Sequence, residues 1–237
     1  MNHHPKKPRI VADWMPALLL ITGCVVLGLA GRMKAQQNPI PTTFTNLQVM
    51  PKSTPRSELV PLMRAFTRSL GVRCEHCHLG EGDDLSTFDF ASDARPAKVV
   101  ARKMMAMVEV LNNEPLANTG GVTCVTCHGG SRLPGRLPRE KWEALADTWP
   151  ATLPEDQKLT MSVYSASLGV GCDHCHDTTD WKSPVKPAFA TAQRMGAMFA
   201  VFPRFMPPTA RTQCFMCHKG SAHPSRAFRG QPHQSER

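Results

Sequence analysis

The chain is poor in aromatic residues: 10 Phe, 4 Trp and a single Tyr among 237 residues, or 6%. A domain with so few large rings has little side-chain bulk for a core, so something else must supply it. Charge of one sign is not scarce, with 28 Lys and Arg against 19 Asp and Glu, a formal net charge of +9. The first 35 residues hold five of these bases and one acid, which leaves about +5 for the rest. No pattern of nucleic-acid recognition accompanies this charge, so basicity alone is weak support for such a partner.

Cysteine is where the sequence becomes specific. Eight of the 9 cysteines fall in four C-x-x-C-H motifs: Cys74–Cys77–His78, Cys124–Cys127–His128, Cys172–Cys175–His176 and Cys214–Cys217–His218. This is the attachment signature of c-type haem. Each cysteine pair can form two thioethers, and the adjacent histidine can bind the iron. A zinc ribbon or a disulfide framework has no use for a histidine after every second cysteine. Four covalent haem c groups therefore become the missing bulk. The expected fold is mainly α, haem-centred, with many turns and little β-structure. The polypeptide without its haems should fold poorly, because the cofactors stabilise only the native state. Haem propionates would offset much of the positive charge, and the arginines are candidate partners for them or ordinary surface residues.

Trp14 to Gly31 is an apolar stretch preceded by Lys6, Lys7 and Arg9. It supports three readings. It can be a transmembrane anchor with its start in the cytoplasm. It can be a secretory signal. Or Ile21-Thr22-Gly23-Cys24 is a lipobox that makes Cys24 a lipidated terminus. All three export residue 36 onward, to the periplasmic face of the cytoplasmic membrane.

The sequence repeats. Met63 to His78 and Met161 to His176 share Met, Ser-Leu-Gly-Val and Cys-acid-His-Cys-His without a gap. Arg102 to Met107 leads to Cys124 as Gln193 to Met198 leads to Cys214. Each half thus reads helix, haem, helix, haem. The divisions are 1–35 for the export or anchor segment, 36–56 for an extended lead-in, 57–132 for the first dihaem half, 133–153 for a proline-rich connector, 154–224 for the second half and 225–237 for a tail.

Periodicity predicts four helices. The first has Thr54 as cap, Pro55 as first residue, Leu59, Leu62, Met63, Phe66 and Leu70 on one face, and Gly71 as stop. The second follows Pro96 and carries Val100, Met104, Met107, Val108 and Leu111. The third carries Met161, Tyr164 and Leu168. The fourth carries Ala192, Met195 and Phe199 and should stop at Pro203.

A sixth iron ligand is the natural role for some methionines. Met63 lies 15 residues before His78, and Met161 lies 15 before His176. Each is seven residues upstream of its helix end, ~10 Å at 1.5 Å per residue, comparable to a porphyrin's width. Met104 and Met195 are candidates for the second and fourth irons, with Met105 and Met198 in reserve. His223 could replace Met195. His76 and His174, inside their motifs, point to no obvious iron. The competing role for each methionine is core filling. His/Met ligation leaves no place for substrate and favours electron transfer over catalysis.

On these residues the chain resembles the tetrahaem cytochrome c subunit of bacterial photosynthetic reaction centres. The likeness covers 44–222. It includes Phe44-Thr-Asn-Leu-Gln-Val-Met50, Val99-Val-Ala-Arg-Lys-Met104, Gly121 to Gly129 and Cys217-His218-Lys-Gly220. It implies helices parallel to the haem planes, pseudo-twofold haem pairs and docking on the periplasmic face of the reaction centre. There the subunit accepts electrons from a soluble donor, such as a small cytochrome c or a high-potential iron–sulfur protein, and re-reduces the photo-oxidised bacteriochlorophyll pair. It also implies His78/Met63, His128/Met104 and His176/Met161 ligation. Two departures stand out. Asn112 to Gly121 contains no histidine where relatives often supply one to the fourth haem, so Met195 or His223 serves or that iron is open. The connector is also short. A membrane-attached or periplasmic carrier of a respiratory chain would share every residue role. An enzyme would need the open iron.

Overall fold

The computed structural model describes residues 40–149, 151–210 and 212–224. Every described helix lies in the unit Thr42–Arg237. The apolar stretch with Cys24 lies outside the described residues, as do His3, His4 and His233. Among the described residues no helix is long and apolar enough to cross a membrane.

The helices are α1 (Arg56–Leu70), α2 (Pro96–Asn113), α3 (Cys124–His128), α4 (Arg139–Ala146), α5 (Glu155–Leu168), α6 (Pro187–Ala197) and α7 (Phe215–His218). The fold is mainly α, and the only β pairing among the described residues is an isolated Leu79–Asp89 bridge. Pro55 is the cap residue of α1 rather than its first turn. The Thr54 hydroxyl instead donates to the Pro51 carbonyl at 2.7 Å, folding the lead-in onto itself. Pro96 and Pro187 open α2 and α6, where the fixed φ costs nothing and the missing N–H would be unpaired anyway. α6 ends at Ala197, before Pro203, and continues as 3-10 turns over Met198–Ala200 and Phe202–Arg204. Pro203 thus sits inside the last turn instead of ending the α-helix. Within the connector, Arg139–Ala146 is helical and packs against α5. Trp149 Nε1 donates to the buried Ser162 Oγ at 2.8 Å and fastens that pair.

The repeat survives as structure. α1 and α5 both stop on glycines in the left-handed region, Gly71 at φ 62° and Gly169 at φ 65°. Val72 and Val170 then donate back to Thr67 and Ser165 at 3.0 and 3.2 Å, the closing bond of a Schellman turn. A Cβ on either glycine would collide with a carbonyl oxygen, that of Gly130 or that of Gly220. The same close approach lets Gly130 N–H donate to Ser69 O and Gly220 N–H to Ser167 O, each at 2.8 Å. Each half therefore locks its first helix onto the segment after its second motif. α3 and α7 also pack against each other and join the halves.

The apolar core is small. Eleven hydrophobic side chains are buried among the described residues, too few to hold a unit of this size by themselves. A cluster of Met107, Leu111, Leu116, Val201 and Phe202 joins α2 and the turn after it to the segment that follows α6.

Candidate haem sites

The four motifs adopt two backbone forms, and the form depends on position within the half. The first motif of each half is a 3-10 turn, Cys74–His76 and Cys172–His174, with His78 and His176 N–H closing onto the first cysteine carbonyl at 3.0 Å. The second is an α-helical turn ended by a left-handed residue, Gly129 at φ 57° and Lys219 at φ 52°. Thr123 and Thr126 form a capping box in front of Cys124. A single turn brings both thiols and the imidazole of each motif to neighbouring positions, as a haem attached at two points and ligated at its centre requires.

The histidines are oriented by their backbone. His128 Nδ1 lies 3.0 Å from Ser131 O, His218 Nδ1 2.9 Å from Ser221 O and His176 Nδ1 2.9 Å from Trp181 O. A carbonyl can only accept, so Nδ1 carries the proton and Nε2 keeps its lone pair for a metal. Burial holds His78, His128 and His218 below the usual imidazole range, which keeps that lone pair free at neutral pH. His78 departs from the pattern: its Nδ1 is buried and has no hydrogen-bond partner. The Phe90 carbonyl faces that ring and favours its charged form, but without hydrogen-bond geometry. The Phe90 ring meets His78 edge-on at 5.1 Å. His176 has Trp181 at 5.7 Å and Phe189 at 5.5 Å.

All eight motif thiols are half-buried and unpaired. Among the described residues no three Cys, His, Asp or Glu side chains converge as a metal cluster. The thiols are thus neither joined as disulfides nor gathered tetrahedrally, and the donor set fits thioether-bound haem with imidazole at the iron. Burial pushes the Cys77, Cys124, Cys175 and Cys214 thiols up. Cys127 and Cys217, on the packed helices α3 and α7, are neighbours, and the nearby Cys127 thiol pushes Cys217 well above the thiol range. An apolar recess of about 210 Å³, lined by Leu145, Trp149, Val170 and Trp181, opens beside Cys172.

The sequence-predicted methionines take two kinds of place. Met63 and Met161 are half-buried on α1 and α5, each seven residues before the last helical residue, Leu70 or Leu168. Met104 and Met195 are each packed against the central cluster, as are Met198 and Met206. Met105 is half-buried on α2 outside that cluster. His223 and His174 are exposed, and His76 is half-buried. Several arginines sit against protein carboxylates: Arg102 with Asp93 at 2.8 Å, Arg139 with Glu143 at 2.5 Å, Arg204 with Glu114 at 3.8 Å, and Arg73 with Asp83.

Sequence reading missed one feature. Lys98 is buried, and its ammonium donates to the carbonyls of Phe90, Ala91 and Ser92 at 2.9, 3.0 and 2.7 Å. Asp93 lies 3.1 Å from it, and Asn46 and Gln48 of the lead-in join the same network. A lysine three residues into an amphipathic helix reads as solvated surface, and nothing in the sequence marks the carbonyls it meets.

The family model for the photosynthetic reaction centre cytochrome c subunit matches residues 31–158, more than half of the chain. The chain is 27% identical to the photosynthetic reaction center cytochrome c subunit of Thermochromatium tepidum over 213 residues, covering 67% of this chain and 49% of that protein. It is 24% identical to the subunit of the same name from Rubrivivax gelatinosus over 293 residues, covering 93% of this chain and 76% of that protein. It is 30% identical to cytochrome c-554 of Chloroflexus aurantiacus over 107 residues, covering 43% of this chain and 23% of that protein. The chain thus spans about half the length of the Thermochromatium relative. The family model takes in the first half and the connector, and the Rubrivivax match reaches into the second half. With its paired motifs, mainly helical fold and backbone-oriented histidines, the chain belongs to the photosynthetic reaction centre cytochrome c subunit family, whose members are c-type cytochromes with covalently bound haem.

Proposed function

We propose that this protein holds four haem c groups and delivers electrons to the photo-oxidised bacteriochlorophyll pair of a reaction centre, on the periplasmic face of the membrane. The haems supply reversible one-electron chemistry, and the protein supplies attachment, ligation and spacing. Cys74/Cys77, Cys124/Cys127, Cys172/Cys175 and Cys214/Cys217 form the thioethers. His78, His128, His176 and His218 are the proximal ligands. Met63, Met104, Met161 and Met195 are the sixth ligands. Met195 is favoured over His223 because it is half-buried on α6 at the position matching Met104 on α2, while His223 is exposed. With every iron six-coordinate, the protein is a carrier and not an enzyme. The partners are the reaction-centre core subunits and a soluble donor, a small cytochrome c or a high-potential iron–sulfur protein. A membrane span or a lipid on Cys24 is the proposed attachment.

The observation that supports this reading is the packing of α3, which carries the second motif, against α7, which carries the fourth. That packing supports a second and a fourth haem close enough for the two halves to act as one relay. In host membranes, a flash should oxidise a c-type haem of this protein as the bacteriochlorophyll pair is re-reduced. Deleting the gene should slow that re-reduction, and equally fast re-reduction in the deletion strain refutes the role. Mass analysis of the mature protein should show four added porphyrins. Met63→Leu and Met161→Leu should each remove one near-infrared His/Met band. Unchanged bands in both variants reject these two ligands.

A further inference from the structure

The two halves differ at one matched position next to a proximal histidine. α2 and α6 both begin on proline, Pro96 and Pro187, so the third residue of each helix corresponds: Lys98 in the first, Phe189 in the second. Phe189 packs its ring edge-on against His176 at 5.5 Å. Lys98 instead places a buried ammonium 2.9 Å from the carbonyl of Phe90, the residue whose ring contacts His78. Four residues further on, Arg102 corresponds to Gln193. The first site therefore has two cations where the third has none at those positions.

We propose that Lys98 is a positioning residue that raises the affinity of the first haem for an electron above that of the third; this rests on the tetrahaem reading above.

Two effects act in the same direction. A ferric haem carries one more positive charge than a ferrous one, so a nearby cation shielded from water disfavours the oxidised form. The Lys98 and Arg102 side chains are only 11% and 15% exposed, and they share the single carboxylate of Asp93. Asp89 also faces His78, but it is exposed, and one of its oxygens is taken by the Ala91 and Ser92 amides at 3.0 and 2.9 Å. The second effect acts through the carbonyl. Lys98 engages Phe90 O, the backbone acceptor that faces the His78 ring, and His78 Nδ1 is the one proximal nitrogen of the four without a carbonyl bond. An imidazole that donates no hydrogen bond is the poorer electron donor to iron, and a poorer donor stabilises the ferric state less.

The test is a redox titration of the purified four-haem protein. The first-site wave is identified as the one that His78→Met displaces. Lys98→Met should lower that midpoint by about tenfold in the equilibrium constant for reduction, ~59 mV for one electron, and leave the other three in place. Asp93→Asn breaks the same ion pair but leaves the cations less neutralised, so it should move the same wave upward. A purely structural role would move both variants the same way. A first-site midpoint unchanged in Lys98→Met, or equal shifts at all four haems, overturns the proposal. If Lys98→Met fails to retain four haems, Asp93→Asn decides: a rise supports the proposal, and no change or a fall defeats it. Fewer than four haems in the unaltered protein would defeat the tetrahaem reading instead.

Discussion

At the residue scale, backbone conformation does much of the work. Gly71 and Gly169 are both left-handed and both pressed against a carbonyl of the packed partner segment. Gly71→Ala should destabilise the haem-loaded protein by about 2–4 kcal/mol, from the left-handed penalty plus forced separation of close-packed backbone. Lys219 is the opposite case. It is the lone non-glycine with positive φ among the described residues, and it stands where the first half has Gly129. Lys219→Gly should leave stability unchanged or raise it by up to about 1 kcal/mol, because relief of the left-handed strain is partly offset by the freer unfolded chain. Denaturant midpoints of the two variants check both signs. A loss of similar size in both would show that φ is not what separates these positions. The glycines were legible because Ser-Leu-Gly-Val occurs twice at helix ends. Lys98 was not, because its three carbonyl partners come from an irregular loop with no periodicity.

At the element scale, the sequence announces helices with a strong apolar face or a proline start, and α1, α2 and α5 lie where that pattern puts them. α6 is shorter than its pattern because Met198 to Arg204 keeps its apolar side chains on the core while tightening to 3-10 turns. Apolar spacing alone does not separate those two geometries over a single turn. The helix inside the connector was hidden for a related reason. Pro138 and Pro154 look like breakers, yet each stands immediately before a helix. Ser162→Ala leaves the half-buried Trp149 indole N–H without its partner and should cost about 1–3 kcal/mol. Limited proteolysis should then cut within residues 139–153 faster than in the unaltered protein. An unchanged cutting rate would mean that α4 is held by apolar contact alone.

At the scale of the whole molecule, side chains contribute a modest share of the interior. The duplication was visible in the sequence, but the meeting of the halves through α3 and α7 was not, since nothing in a C-x-x-C-H motif marks its outer surface. Expressed without the haem-attachment machinery, the chain should show no cooperative thermal transition, because the eleven apolar side chains buried among the described residues do not offset the conformational entropy of ordering it. Calorimetry distinguishes the cases, and a sharp transition in the haem-free chain would mean that the polypeptide can organise itself.

The nearness of the Cys127 and Cys217 thiols on packed helices also bears on biogenesis. In an oxidising compartment, two neighbouring thiols on a chain that closed while empty would be poised to cross-link. Such a bridge would consume one attachment sulfur of each central motif and bar both sites at once. On the proposed tetrahaem reading, attachment at the two central motifs would run ahead of the docking of one half on the other.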